Sequence, residues 1–323
     1  MDFKVIVTVG PAILDGRKLN EIDGMGDCIY RINGAHANRA QMKQMTERIR
    51  GILPGAKIMI DLPGNKVRTS NLPLPIPLTK GESFTLNSFE LNYPNFYRHL
   101  KPGDVIYAND STYQLEVLDL EGDAIRLVSH STGTLGANKG LHVIGIHDGI
   151  PFLFERDAEL IRGACELGLD YISLSFVRDV ADIEAARALI HEAGGKKVKI
   201  FAKVETAMAM QNLEAILQAV DTVNVDRGDL SADIGILNIA HAQGRVVQAA
   251  RNAGKEVFLA TQFLKNMERE PVPLISELIG LYQVMQEGVT GIQLSEETAV
   301  GKHPVECVKM VFDVCRNYDS RAA

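Results

Sequence analysis

The chain has 323 residues, 46% of them hydrophobic and 23% charged, a balance that folds around a sizeable core. Its formal net charge of −7 argues against a nucleic-acid or anionic-membrane surface, because those partners select concentrated Lys and Arg, although a local basic pocket is still allowed. The scattered Cys28, Cys165, Cys307 and Cys315 have neither zinc spacing nor a disulfide framework, and no signal peptide or membrane-length apolar run is present, so a soluble cytoplasmic protein is expected.

Eight short β-rich runs recur along the chain: KVIVTV, CIYRIN, KIMID, DYISLSF, VKIFAKVE, TVNV, EVFLATQ and GIQLS. Most are followed by a helical pattern. In NRAQMKQMTERIRGIL, Met42, Met45 and Ile49 share a face and Asn38 is placed to cap the first turn. In DVADIEAARALIHEAGG, Asp179 is the expected cap, Ile183, Leu189 and Ile190 point inward, and Gly194-Gly195 ends the helix. Eight strands alternating with helices predict a closed parallel (β/α)8 TIM barrel, not an open sheet, and neither GxGxxG nor GxxxxGK[ST] occurs.

After the third run the character changes. ESFTLN, DVIYAND, QLEVLDL and AIRLVSH alternate in polarity, with EGD and PGD as turns, and predict a small antiparallel β domain inserted after the third strand. The expected division is 1–69 and 148–323 for the barrel and 70–147 for the insert, with NLPLPIPL as a stiff linker.

Barrel chemistry gathers at the carboxyl ends of the strands. Here those ends carry Thr8; Arg31 and Asn33; Asp61; Ser175; Lys203 and Glu205; Arg227 and Asp229; Thr261 and Gln262; Ser295 and Glu297. Lys203 and Glu205 lie two residues apart and so share a face, which Ile200 and Phe201 are expected to make apolar. Taken alone the pair fits a structural ion pair as well as a catalytic one. The nearby DRGDL turn favours the second reading: Glu205 and Asp229 suit Mg²⁺ or Mn²⁺, Arg31 and Lys203 face an anion, and Gly228 allows close backbone approach.

The segments TVGPA, YRINGAHA, IDLPGNKVRT, GANKG, SLSFVRD, AKVE, DRGDL, ATQFLKNM and SEETAVGKHP, in this order, resemble the pyruvate kinase family over almost the whole chain. The resemblance implies Arg31 and Lys203 on the transferred phosphoryl group, Lys203 also on the enolate oxygen, and Glu205 and Asp229 on the divalent metal. It implies that backbone groups around Arg227, Gly228 and Asp229, with the Thr261 hydroxyl, hold a keto-acid carboxylate. Asn33, Asp61 and Arg68 then support the phosphate, Ser295 belongs to the substrate end, and ADP or ATP lies near Pro11, His36 and Lys139. A phosphotransferase acting on phosphoenolpyruvate or a related enol phosphate follows. A metal-dependent keto-acid lyase or aldolase, and a noncatalytic binding relative, are the alternatives.

Three departures from the family pattern stand out. Ala35 and Leu62 replace oxygen ligands of the monovalent-cation site and Lys66 stands where potassium-dependent members carry glutamate, so Lys66 is expected to substitute for K⁺. Asp226 and Glu296 replace small residues near the keto-acid end. Facing inward, they would favour a substrate with an added amino or hydroxyl group; facing outward, they are solvated charges. Finally, the sequence stops at RNYDSRAA, which implies that the family's carboxyl-terminal domain, with its effector and subunit contacts, is absent and that any homodimer uses the barrel. His99, His130, His191, His241 and His303 are expected to be surface or structural residues.

Overall fold

Strand residues alternate between two environments, and that alternation builds the barrel. In the computed structural model, which describes residues 3–109 and 112–322, the outward residues of each strand, such as Val5, Val7, Ile58, Ile60, Val223 and Val225, join Leu19, Ile49, Ile183 and Val246 of the surrounding helices in one continuous core. The inward residues Ile6, Ile29, Met59, Phe201 and Phe258 form a separate apolar plug inside the ring. Phe201 therefore faces the barrel interior with Lys203, whereas Ile200, expected beside it, faces the helices.

The ring closes in the order expected of the (β/α)8 fold. Its strands are Lys4–Thr8, Cys28–Asn33, Lys57–Asp61, Tyr171–Leu174, Lys199–Val204, Thr222–Asp226, Glu256–Ala260 and Gly291–Leu294. All neighbours are parallel, and the last strand pairs with the first from Lys4 opposite Gly291 to Val7 opposite Leu294. The two helix caps read from the sequence form: Asn38 accepts from Gln41 N at 2.9 Å, and Asp179 accepts from Asp182 N at 3.2 Å. No helix among the described residues is long and apolar enough to cross a membrane.

Antiparallel strands sit between the third and fourth barrel strands. Ser83–Leu86, Val105–Ala108, Tyr113–Glu121, Ala124–Ser129 and Leu141–His142 form one sheet around Leu86, Ile106, Leu115, Ile125 and Leu127. The run DVIYAND ends at Asp110, which lies outside the described residues. The stretch expected to be a linker contributes a strand, Ile76–Leu78, paired with Gly133–Leu135, because its alternate residues Ile76 and Leu78 find apolar partners there.

Candidate active site

Two residues beyond the apolar plug, the same strands turn polar. Ile6 is followed by Thr8, Ile29 by Arg31, Met59 by Asp61 and Phe201 by Lys203, all buried and all aimed at the ring's carboxyl end. Arg31 donates through Nε to Asp61 Oδ2 at 2.7 Å and through a terminal nitrogen to Thr8 Oγ1 at 2.7 Å, and the Thr8 hydroxyl in turn donates to Leu294 O at 2.7 Å. The guanidinium is thereby fixed in orientation before any ligand arrives.

Lys203 sits at the centre. Its Nζ is 2.8 Å from Glu205 Oε1, 3.5 Å from Asp61 Oδ1 and 3.6 Å from Asp226 Oδ2, and it donates to Ser175 Oγ at 3.2 Å. Burial disfavours the ammonium, but Asp61, Glu205 and Asp226 outweigh it and hold Lys203 protonated, above its ordinary range. Asp61, despite burial, is held below the usual carboxylate range by Lys203 and Arg31. Burial pushes Glu205 up to about 8, with Asp226 and Asp229 adding to it. Burial likewise raises Asp226. Asp229 goes the other way, to about 2: the Lys66 ammonium, 2.6 Å from its Oδ1, overcomes the burial penalty.

One carboxylate oxygen from each of Glu205, Asp226 and Asp229 lies within 4.8 Å of the other two. Glu205 Oε2 accepts from Phe176 N at 2.7 Å, and Phe176 has a φ of 56°, a conformation unusual for a bulky residue. Glu205 Oε1 is buried and receives no well-directed hydrogen bond. Crowded, incompletely satisfied oxygens of this kind fit a small hard dication such as Mg²⁺ or Mn²⁺.

Above the cluster a cavity of about 1190 Å³ opens between the barrel and the inserted sheet. Thr8, Arg31, Asp226 and Asp229 reach it from the barrel, and Tyr107, His142 and Ile144 from the insert. Lys203 and Glu205 lie just beneath, 5% and 1% exposed. The loop after the seventh strand places Thr261, Gln262 and Leu264 at φ of 70°, 56° and 53°, strain concentrated at the cavity's edge.

A barrel-domain model for pyruvate kinase matches residues 2–308 of this sequence. The chain belongs to the pyruvate kinase family. It is 31% identical to the pyruvate kinase of Aeropyrum pernix over 319 residues, covering 96% of this chain and 69% of that protein. It is 32% identical to that of Haemophilus influenzae over 332 residues, covering 97% and 69%, and 28% identical to that of Clostridium perfringens over 332 residues, covering 98% and 70%.

The residues that the family resemblance singled out fall into three groups. Arg31, Asn33, Asp229, Gly228, Thr261, Ser295, Pro11 and His36 line the cavity, as does Lys66. Asp61, Lys203 and Glu205 form its buried base. The side chains of Arg68, Lys139 and Arg227 lie outside the cavity lining, although the Arg68 charge still acts on His36 and Asp229. The Arg68 backbone pairs with Gly140 at the root of the insert, and Lys139 N donates to Thr69 Oγ1 at 2.9 Å. The Arg227 guanidinium turns away to donate to the carbonyls of Ala260 and Thr261, 3.9 Å over the Phe263 ring. At His36, burial and then Arg68 and Arg31 depress the imidazole's proton affinity.

The backbone amides expected to hold a substrate carboxylate are already engaged. Gly228 N donates to Asp226 Oδ1 at 3.2 Å and to Thr261 Oγ1 at 3.1 Å, and Asp229 N reaches Asp226 Oδ1 at 3.5 Å. Asp226 is thus the N-cap of the helix Arg227–Ile234 and faces inward, 7% exposed, whereas the Glu296 side chain is 61% exposed at the cavity rim, 4.0 Å from Lys265 Nζ. The alternation Thr222, Asn224, Asp226 against outward Val223 and Val225 is a signal that resolves the direction of Asp226. Sequence reasoning missed His142: it lines the cavity from the insert, 3.4 Å from Asp233 Oδ1 on the barrel side. No local pattern marks that contact.

Proposed function

We propose that the chain transfers a phosphoryl group between an enol phosphate and a nucleoside di- or triphosphate, with a divalent metal and without a requirement for K⁺. The observation that supports this reading best is the buried Lys203 ammonium, held between Asp61, Glu205 and Asp226 directly under the cavity. Phosphoryl transfer asks mainly for alignment and for positive charge where negative charge develops. Lys203 serves the enolate oxygen, and Arg31, locked by Asp61 and Thr8, serves the phosphoryl oxygens.

A divalent ion held by Glu205 and Asp229 with Asp226 supplies Lewis-acid neutralisation of the substrate oxygens when it is bound. Lys66, ion-paired with Asp229, supplies a fixed positive charge in the role of the monovalent cation, two of whose oxygen ligands are replaced by Ala35 and Leu62. Nucleotide lies in the part of the cavity bounded by Pro11 and His36.

The test is a phosphoryl-transfer assay over a panel of enol phosphates and 2-keto compounds, run beside thermal denaturation with Mg²⁺ and ADP or ATP. A nucleotide that binds only the native state at about 100 times its Kd adds about 2.7 kcal/mol of stability. Stabilisation by nucleotide together with turnover supports the proposal. Stabilisation by metal without any nucleotide response favours a lyase, and no response to either favours a binding relative.

A further inference from the structure

The amino end of the helix Arg227–Ile234 projects into the cavity with its amides directed at a carboxylate, and that carboxylate belongs to the protein. Asp226 Oδ1 accepts from Gly228 N and Asp229 N, while its Oδ2 lies 3.6 Å from the Lys203 ammonium. A helix amino end beside an ammonium is the natural seat for an anionic group of a ligand. Here a side chain that lines the cavity has taken the seat, and it also contributes an oxygen to the group formed with Glu205 and Asp229.

The local charge balance points the same way. Beside Lys203 and within the carboxylate group formed with Glu205 and Asp229, Asp226 makes the charge that faces a ligand one unit more negative than an uncharged residue at position 226 would, with or without a bound dication. The site is matched to a ligand with one negative charge fewer, and a second carboxylate brought against Asp226 meets like charge in a poorly solvated place.

We infer that Asp226 stands in for a substrate carboxylate: the reacting compound is a phosphorylated enol, or its carbonyl form, that presents an uncharged hydrogen-bond donor instead of a free carboxylate to the amino end of this helix. The inference rests on the phosphotransferase reading and narrows its substrate class. Glu296, exposed at the rim, takes no part.

The experiment titrates the Mn²⁺-saturated protein with pyruvate and with pyruvamide, which differ in a carboxylate against a neutral amide, and follows binding by the water-proton relaxation of Mn²⁺. Wild type binds pyruvamide at least as tightly as pyruvate. Asp226→Ala frees the amides and removes the charge, so pyruvate tightens by about tenfold while pyruvamide stays within about threefold. Asp226→Asn keeps an acceptor oxygen on the amides without the charge, guards against a folding defect from the lost cap, and gives a smaller gain for pyruvate. A purely structural role for Asp226 would move both ligands together, and that result overturns the inference. So does weaker pyruvate binding by Asp226→Ala, with nucleotide still stabilising the protein and the phosphotransferase reading intact. If wild type responds to neither Mn²⁺ nor nucleotide, the phosphotransferase reading falls and takes this inference with it.

Discussion

The floor and the rim of the barrel are built from the same strands, two residues apart, and they spend their burial in opposite ways. On the floor, Ile6, Ile29, Met59, Phe201 and Phe258 remove apolar surface from water and ask nothing of one another beyond shape. At the rim, Thr8, Arg31, Asp61 and Lys203 are almost as deeply buried, but each charge there is tolerable only because its neighbours supply the opposite one. The floor holds the ring together so that the rim can keep charges in a geometry that solvent alone would never maintain.

Lys203→Met strikes the rim at its centre. It removes the ammonium shared by Asp61, Glu205 and Asp226, so phosphoryl transfer should fall at least about a hundredfold. Chemical denaturation should show a loss of about 3–5 kcal/mol from the stranded carboxylates. Retention of activity within about tenfold would mean that the rim's charges are structural. Phe258→Ala, on the floor, should cost about 3–5 kcal/mol of stability in urea unfolding. Its turnover per folded molecule should stay within about twofold, which separates the two regions.

A smaller effect concerns the join between barrel and insert. His147 is buried, bonded through Nδ1 to Asn65 Oδ1 at 2.9 Å and stacked on Phe176. Burial, aided by His142, lowers its pKa to about 4 from an ordinary 6.5. Over that window the unfolded chain takes up the proton and the folded chain refuses it, so stability is lost as pH falls from about 6.5 to about 4. Urea midpoints against pH should show this slope in wild type and a shallower one in His147→Phe. The smallest expected effect is that of monovalent salt. Exchanging Na⁺ for K⁺ at constant ionic strength should change the initial rate by less than about twofold, since Lys66 already places a cation beside Asp229. A several-fold stimulation by K⁺ would show that the lysine does not replace the ion.

Much of this was legible because strands and caps are short-range objects. Short β-rich runs identified the barrel strands, and Asn38 and Asp179 marked their helix starts, since a cap needs only the next few residues. The polar strand ends were equally readable: a residue's position on a strand decides its face, and Lys203 and Glu205 do meet at 2.8 Å. The course of the Arg227 side chain was not legible in the same way: only its backbone was expected at the substrate, and the guanidinium goes to the Phe263 ring and two loop carbonyls.

The ring, the inserted sheet and the chemical groups that crown the strands were written in patterns a few residues long. Who pairs with whom was settled when the chain closed on itself. Lys66 reaches Asp229 across 163 positions, His142 of the insert meets Asp233 of the barrel, and Asp226 folds back onto the amides of its own helix in the space left by its neighbours. Such partnerships are chosen by distance and burial after the ring has closed, and no local rule carries that information.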